Sequence, residues 1–408
     1  MFNPFKKKPF GLDDFAKLVI TEAKKAGIAE SLEYDPERDP ERFVLKRGDQ
    51  RTYLANLFND YCQADDAHKK RILGNTLALL RQRKENISLE EAVSKVVAAV
   101  REQALFSFTS LLWELEGGKN EPKIAFEPIS KWFARCLVLD FPEYVSMVSL
   151  ENLKTWGVSF DDLYEIGLAR LRDHAIPKFE KQQGFYIGGW HDDYDNSRIL
   201  IPEVFDPLPL DGDPVVCLPN RNLLLVTGSE NQTGIQAMLR QAEEIVRSKP
   251  RPMKAAPLIL KHGEIADFSV REDSPIFNDV ERAKKVSALF YYEQQTQNLM
   301  KLYEQKVKDV FVAKYTLNQL ETGGYESYCV WSKTVPTLLP KTDFIAFFDP
   351  TRPESRRTRG KAKWEEVMRI TGDLFLDTQM FPARFYVSKF PTEEQLASVV
   401  REQRFAKK

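Results

Sequence analysis

Histidine and cysteine are both scarce in this 408-residue chain, with four copies each. His68, His174, His191 and His262 form no HExxH pair, so the helix-borne zinc-hydrolase pattern is missing. Cys62, Cys136, Cys217 and Cys329 are far apart and make no CxxC. Neither a zinc ribbon nor a dithiol redox site is therefore written in the sequence. Isolated thiols fit a cytoplasmic setting better than a disulfide scaffold. GxSxG, GK[ST] and GxGxxG are missing as well, which removes the nucleophile elbow and the common phosphate and dinucleotide loops. With no cofactor motif, none is expected. No run of about 18 apolar residues exists, so no membrane span is expected. An excess of one charge is also lacking: Lys plus Arg number 59 and Asp plus Glu 60, a formal net charge of -1. Such a balance leaves no global footprint for nucleic acid.

Hydrophobic residues make up 43% of the chain, enough to build true cores. The length suggests roughly two to four domains. The opening residues MFNPFKKKPF are basic and aromatic without an apolar h-region, so they do not read as a signal peptide. Lys6, Lys7 and Lys8 read as a solvated terminus.

Periodicity predicts a helix over 12–26 stopped by Gly27, short strands at 32–34 and 42–46 with a Gly48-Asp49 turn, and helix again at 52–61. Two further helices are expected over 65–83 and 88–116. The second opens on a Ser88/Glu91 capping box and closes at Gly117-Gly118. Ile72, Leu73, Leu77 and Leu80, and then Val93, Val96, Val97 and Val100, fall at helical spacing and read as core. Residues 122–148 alternate and read as strands broken at Phe141-Pro142. Ser159 begins a helix to Asp173, with Asp161 and Asp162 at the favourable end of its dipole.

An internal likeness organises the rest. Leu218-Pro219-Asn220-Arg221-Asn222 leads into the apolar run 223–226, and 121 positions later Leu339-Pro340-Lys341-Thr342-Asp343 leads into 344–348. Each is followed by a loop, a helix (about 233–248 and about 361–375), a proline and a strand. Upstream, helix 159–173 and strand 184–190 correspond to helix 288–308 and strand 310–316. The expectation is an α+β protein: an N-terminal α+β and helical unit over 1–118, a strand/helix module over 119–275, and a second, diverged one over 276–408.

Residues 156–173, the string Tyr194-Asp195-Asn196-Ser197-Arg198-Ile199-Leu200, and Leu218-Pro219 leading into 223–226 resemble the YtpQ-like family of uncharacterised bacterial proteins, over about 120–270. The resemblance implies an α+β bacterial cytosolic protein. It implies no activity. The region after about 280 is then an extension or second copy.

The segment GFYIGGWHDDYDNSRI, residues 184–199, gathers the candidate site residues Trp190, His191, Asp193, Tyr194, Asp195 and Arg198. On a strand, His191, Asp193 and Asp195 share a face with neighbours roughly 6.5–7 Å apart. Two such side chains can reach one ion, but three along a straight strand cannot. A calcium loop starting at Asp193 fails, with Arg198 where glycine is needed and Val204 in place of the closing glutamate. The plainer alternative is a turn in which Asp195 or Asn196 caps a helix beginning near Ser197 and Arg198 pairs with a nearby aspartate. A third is a small-molecule or peptide contact through Tyr194 and Arg198. The second half carries VFVAKYTL over 310–317, with no acidic group, so any site belongs to the first module.

Two loops complete the inventory. Residues 226–234, VTGSENQTG, lie between strand and helix, where amide groups can cradle phosphate, but an ordinary capped turn is the simpler reading. Arg352, Arg356, Arg357, Arg359, Lys361 and Lys363 form a basic stretch with only Glu354 opposing. Without interleaved aromatics it reads as a solvated loop more than a nucleic-acid surface. The reading favoured is a non-catalytic ligand- or protein-binding module. The alternative is a metal-assisted hydrolase or transferase using His191, Asp193 and Asp195.

Overall fold

The computed structural model of this chain describes residues 10–28, 32–34, 44–47, 50–81, 87–115, 123–142, 144–248, 253–321 and 323–405. Lys6 to Lys8, residues 42–43, the Gly48-Asp49 turn and Gly117-Gly118 lie outside the described residues.

Helix α1 (Leu12–Lys25) ends where Gly27 takes the left-handed conformation, φ 70°. Strands β1 (Leu32–Tyr34), β2 (Val44–Arg47) and β3 (Gln50–Tyr53) form an antiparallel sheet in that order. Helices α2 (Leu54–Gln63) and α3 (Asp66–Arg81) follow. The helix expected at 52–61 thus loses its first residues to β3, because Thr52 pairs with Leu45 across the hairpin. Phe15, Val19, Leu45, Leu54 and Leu80 share this unit's core.

The single helix expected over 88–116 is three elements: α4 (Leu89–Lys95), β4 (Val96–Glu102) and α5 (Gln103–Leu115). Ser88 Oγ accepts the Glu91 amide at 3.2 Å, so the start is as expected. The strand follows from the run VVAAV, which is buried on both faces and suits a strand as well as a helical stripe. Its partner decides: β4 pairs over its full length with β6 (Phe133–Asp140), from Val96↔Leu139 to Glu102↔Phe133. With β5 (Phe126–Pro128) and β7 (Val145–Met147) on β6, this makes an antiparallel sheet with β4 at its margin. A division at 118/119 would separate these two paired strands, so the sheet corrects that boundary.

After α6 (Leu150–Trp156), α7 (Phe160–Asp173) starts on Ser159, whose Oγ accepts the Asp162 amide at 3.1 Å. Helix α7 presses closely on β4: a Cβ at Gly167 would stand 2.8 Å from the Ala98 nitrogen. Strands β8 (Phe179–Lys181), β9 (Tyr186–Gly188), β10 (Pro214–Asn220), β11 (Leu223–Gly228), β12 (Leu258–Lys261) and β13 (Glu264–Asp267) form a second antiparallel sheet, in the order β13-β12-β10-β11-β9-β8. Helix α8 (Gln232–Ser248) covers its outer face through Ile235, Met238 and Leu239. Its inner face, with Val216, Leu218, Leu224 and Val226, packs on Val97, Ala99, Cys136 and Val138 of the β4–β7 sheet. The layers run α7, sheet, sheet, α8, with the main core between the sheets.

The long α9 (Phe277–Gln305) then reaches three interiors: Val280 and Ala283 beneath α8, Ala288 and Tyr291 between the sheets, Leu299 and Leu302 further along. The remaining elements are β14 (Phe311–Val312), β15 (Thr316–Gln319), β16 (Tyr325–Ser332), β17 (Thr337–Pro340), β18 (Phe344–Phe348), β19 (Thr358–Lys363), α10 (Trp364–Thr371), β20 (Leu376–Asp377), β21 (Arg384–Val387) and α11 (Glu393–Phe405). They make two sheets, β15-β16-β18-β19 and β14-β17-β21-β20. The α+β class is therefore as expected. The internal likeness is local and does not extend to topology. Strands β10 and β11 are hydrogen-bonded neighbours, whereas β17 and β18 lie in different sheets. The two residues Arg221-Asn222 close a hairpin; the three residues 341–343 instead carry the chain from one sheet to the other. The second helix is also shorter than 361–375, because 358–363 forms β19. Among the described residues no helix is long and apolar enough to cross a membrane.

Candidate functional site

Beyond β9 the chain turns sharply before a short 3₁₀ helix, Asp195–Leu200. Two non-glycine residues of the turn, His191 (φ 55°) and Asp193 (φ 66°), occupy the left-handed region that side chains disfavour. Asp195 anchors the backbone of the turn around them. Its Oδ1 accepts the amides of Trp190 and His191, each at 3.1 Å, and its Oδ2 accepts that of Asp192 at 3.3 Å. The expected cap on a helix from Ser197 is thus corrected. The helix starts at Asp195, and the carboxylate reaches back to the preceding turn. Burial pushes this carboxyl up, and the amide bonds oppose that. Asn196 and Ser197 are fully buried and serve β4: Asn196 Nδ2 donates to the Val100 carbonyl at 3.1 Å, and the Val100 amide donates to Ser197 Oγ at 3.0 Å.

Arg198 finds the aspartate partner expected of it. Its Nη1 donates to Asp192 Oδ1 at 2.6 Å and its Nη2 to Asp192 Oδ2 at 2.5 Å, a bidentate pair, and Nη2 also donates to the His174 carbonyl. The guanidinium carbon lies 5.2 Å from the centre of the Trp190 ring. Asp192 further accepts the Tyr194 amide at 3.1 Å.

These residues form one wall of a cleft of about 560 Å³. Trp190, Asp192, Tyr194 and Arg198 face the end of α7 and the segment after it, with Arg170, Asp173, His174, Ile176 and Lys178. Lys95, Val97 and Asp140, from the α4–β4 junction and the end of β6, complete the lining. Lys95, Arg170 and Lys178 have no ion-pair partner among the described residues. Arg170 is oriented by the Val93 carbonyl at 2.9 Å and that of Ser94, and Lys95 lies over the Phe141 ring. Burial raises the Asp140 carboxyl, the Tyr194 hydroxyl beside it lowers it, Asp193 and Asp192 raise it further, and the nearby Lys95 charge lowers it. The Tyr194 hydroxyl is buried without a hydrogen-bond partner of ordinary geometry, and burial raises its pKa.

No family model, curated protein or solved structure matches this chain. The chemistry of the site must therefore come from its own geometry.

That geometry brings together Trp190, Tyr194 and Arg198, and adds Asp192, Asp140, Arg170 and Lys178. It does not bring together His191, Asp193 and Asp195. The first two are exposed and do not line the cleft, and the third is buried against three amides. Among the described residues no group of three His, Cys, Asp or Glu side chains is placed to hold a metal ion. The other loops are also accounted for. Asn231 Oδ1 accepts the Gly234 amide at 2.9 Å and its Nδ2 donates to the Gly184 carbonyl at 3.1 Å, closing the start of α8. The basic stretch is less unopposed than its sequence suggests. Arg359 forks onto Glu393, Arg352 reaches Asp349 and Glu393, and Lys361 pairs with Glu326. Glu326 and Glu393 come from β16 and α11, about 35 positions away in sequence, whereas Asp349 lies three residues before Arg352, at the end of β18.

Proposed function

We propose that this protein is a non-catalytic binding module that takes a small anionic molecule with an apolar or aromatic body into the cleft between the end of α7 and the 189–194 turn. The observation that carries this reading is the trio Lys95, Arg170 and Lys178, free of salt bridges among the described residues and set around a cavity of ligand size with an indole and a phenol in its wall. Unpaired cations in a concave, partly desolvated place favour an anion more than the same groups on an open surface do. The lining holds no serine, threonine or cysteine, and its hydroxyl is the buried phenol of Tyr194. The proposal includes the likeness to YtpQ-like bacterial proteins and a cytoplasmic location.

The test is saturable binding of benzoate, followed by tryptophan fluorescence and assigned with Trp190→Phe, with neutral benzamide as the control. Benzoate should bind and benzamide should not. The double variant Arg170→Gln/Lys178→Glu should weaken benzoate at least about tenfold, two charge contacts being worth 1.4 kcal/mol or more together. Equal response to benzamide, or an unchanged affinity in the double variant, sinks the reading.

A further inference from the structure

We propose that Asp192 is a built-in substitute for the ligand's acidic group: it occupies the bidentate seat on Arg198, and an incoming carboxylate or phosphate takes that seat by displacing it. The inference rests on the reading of this cleft as an anion site and adds a self-blocking step to it.

The two partners differ in how firmly they are held. The Arg198 side chain is 0% exposed, fixed by the His174 carbonyl and by the Trp190 face, and it belongs to the buried wall. The Asp192 side chain is 39% exposed and sits on the turn. On either side of it, His191 and Asp193 are in the left-handed region, so the conformation that presses Asp192 onto Arg198 is a strained one. Of the three amide bonds to Asp195, the one from Asp192 is the longest, at 3.3 Å. Asp192 is therefore the member of the pair that can leave.

The guanidinium cannot be left bare. A buried cation that loses its partner is costly, so the seat is always filled by one anion or another. Carboxylate and phosphate both match the fork of an arginine. Both are drawn to this cleft by Lys95, Arg170 and Lys178, which line the same space and make no salt bridge among the described residues. The exchange conserves charge. One anion replaces another on Arg198, and the displaced Asp192 turns toward cations that are already there.

The experiment measures benzoate and inorganic phosphate affinities calorimetrically for the wild type, Asp192→Asn and His191→Gly. Asp192→Asn keeps the shape of the side chain and removes its charge. It should bind at least about tenfold tighter than wild type, and adding Arg198→Lys should abolish the gain. His191→Gly leaves Asp192 and Arg198 in place and relieves the backbone strain of the closed turn. It should bind several-fold more weakly, and this arm holds even if the asparagine variant does not fold. Asp192→Asn affinity equal to or below wild type, or unchanged affinity in His191→Gly, overturns the displacement. If Arg170→Gln/Lys178→Glu still weakens binding in that case, the cleft remains the anion site and only the self-blocking step is lost. If no variant binds either probe, both readings fall.

Discussion

Replacing Asp195 by asparagine tests whether one carboxylate sets the shape of the turn. In the wild type it accepts three backbone amides within 3.3 Å from a position 0% exposed to solvent. Hydrogen bonds to a charged acceptor contribute about 1.5–3 kcal/mol each, against about 1 kcal/mol for neutral ones. Asparagine can keep its oxygen on the Trp190 and His191 amides, at the reduced neutral value. Its amide group then faces the Asp192 N–H, donor against donor, and that bond is lost. The gross loss is about 3–5 kcal/mol, offset in part because a buried charge has been removed. A net local loss of about 2–3 kcal/mol remains. The chain has several cores, so global unfolding is a poor readout. Hydrogen exchange of the Trp190, His191 and Asp192 amides is direct. Protection should fall roughly 30- to 150-fold, from about 1.4 kcal/mol per decade. Protection within about threefold of wild type would show that other contacts hold the turn, and the strain argument built on it would fail.

Arg384 is fully buried and donates to Gln295 Oε1 at 2.6 Å, Thr296 Oγ1 at 2.6 Å and the carbonyls of Ala313 and Leu338. Arg384→Met should cost about 3–5 kcal/mol, since four acceptors lose their donor. Urea unfolding monitored by tryptophan fluorescence checks this, and a loss below about 1 kcal/mol refutes it. Glycine to alanine should have opposite signs at two helical sites. Gly74, exposed within α3 with nothing near its missing Cβ, should gain about 0.5–1 kcal/mol. Gly234→Ala would drive its Cβ into the Gly184 carbonyl and should lose about 1–3 kcal/mol in thermal or urea unfolding. Asp349 accepts Lys333, the Thr351 hydroxyl and the Thr351 amide, and these hold its carboxyl well below the ordinary carboxylate range. A depressed acid supports the fold above its unfolded value and loses that support as the pH falls through its folded one. Asp349→Asn should therefore be less stable than wild type at pH 7, with the gap closing in strong acid; a gap independent of pH would refute this.

What was legible in the sequence was whatever depends on near neighbours. The Ser88 and Ser159 caps, the Gly27 stop and the break at Phe141-Pro142 each involve residues a few positions apart. Arg198 and its aspartate are six apart, within reach of the same logic. Strand β4 was not legible, because VVAAV satisfies either period and the choice is made by β6 and by Ser197, 97 positions away. The likeness of 218–226 to 339–348 was visible, but sheet membership depends on the length of the link between the strands. The cleft had no linear signature at all. Lys95, Asp140, Arg170 and Lys178 arrive from separate elements, and only the layering of two sheets sets them around Tyr194. The role of Asn196 and Ser197 was equally hidden, since nothing local tells a buried amide and hydroxyl from exposed ones.

Strand β4 ends its sheet, and a bare sheet margin is an open invitation for a stranger's backbone. At Val100 both polar groups are already engaged, the carbonyl by Asn196 and the amide by Ser197. The same short stretch that shapes the cleft thus also acts as a guard rail. Truncating it would give the molecule a sticky rim, and self-association would rise with concentration even where the fold survives.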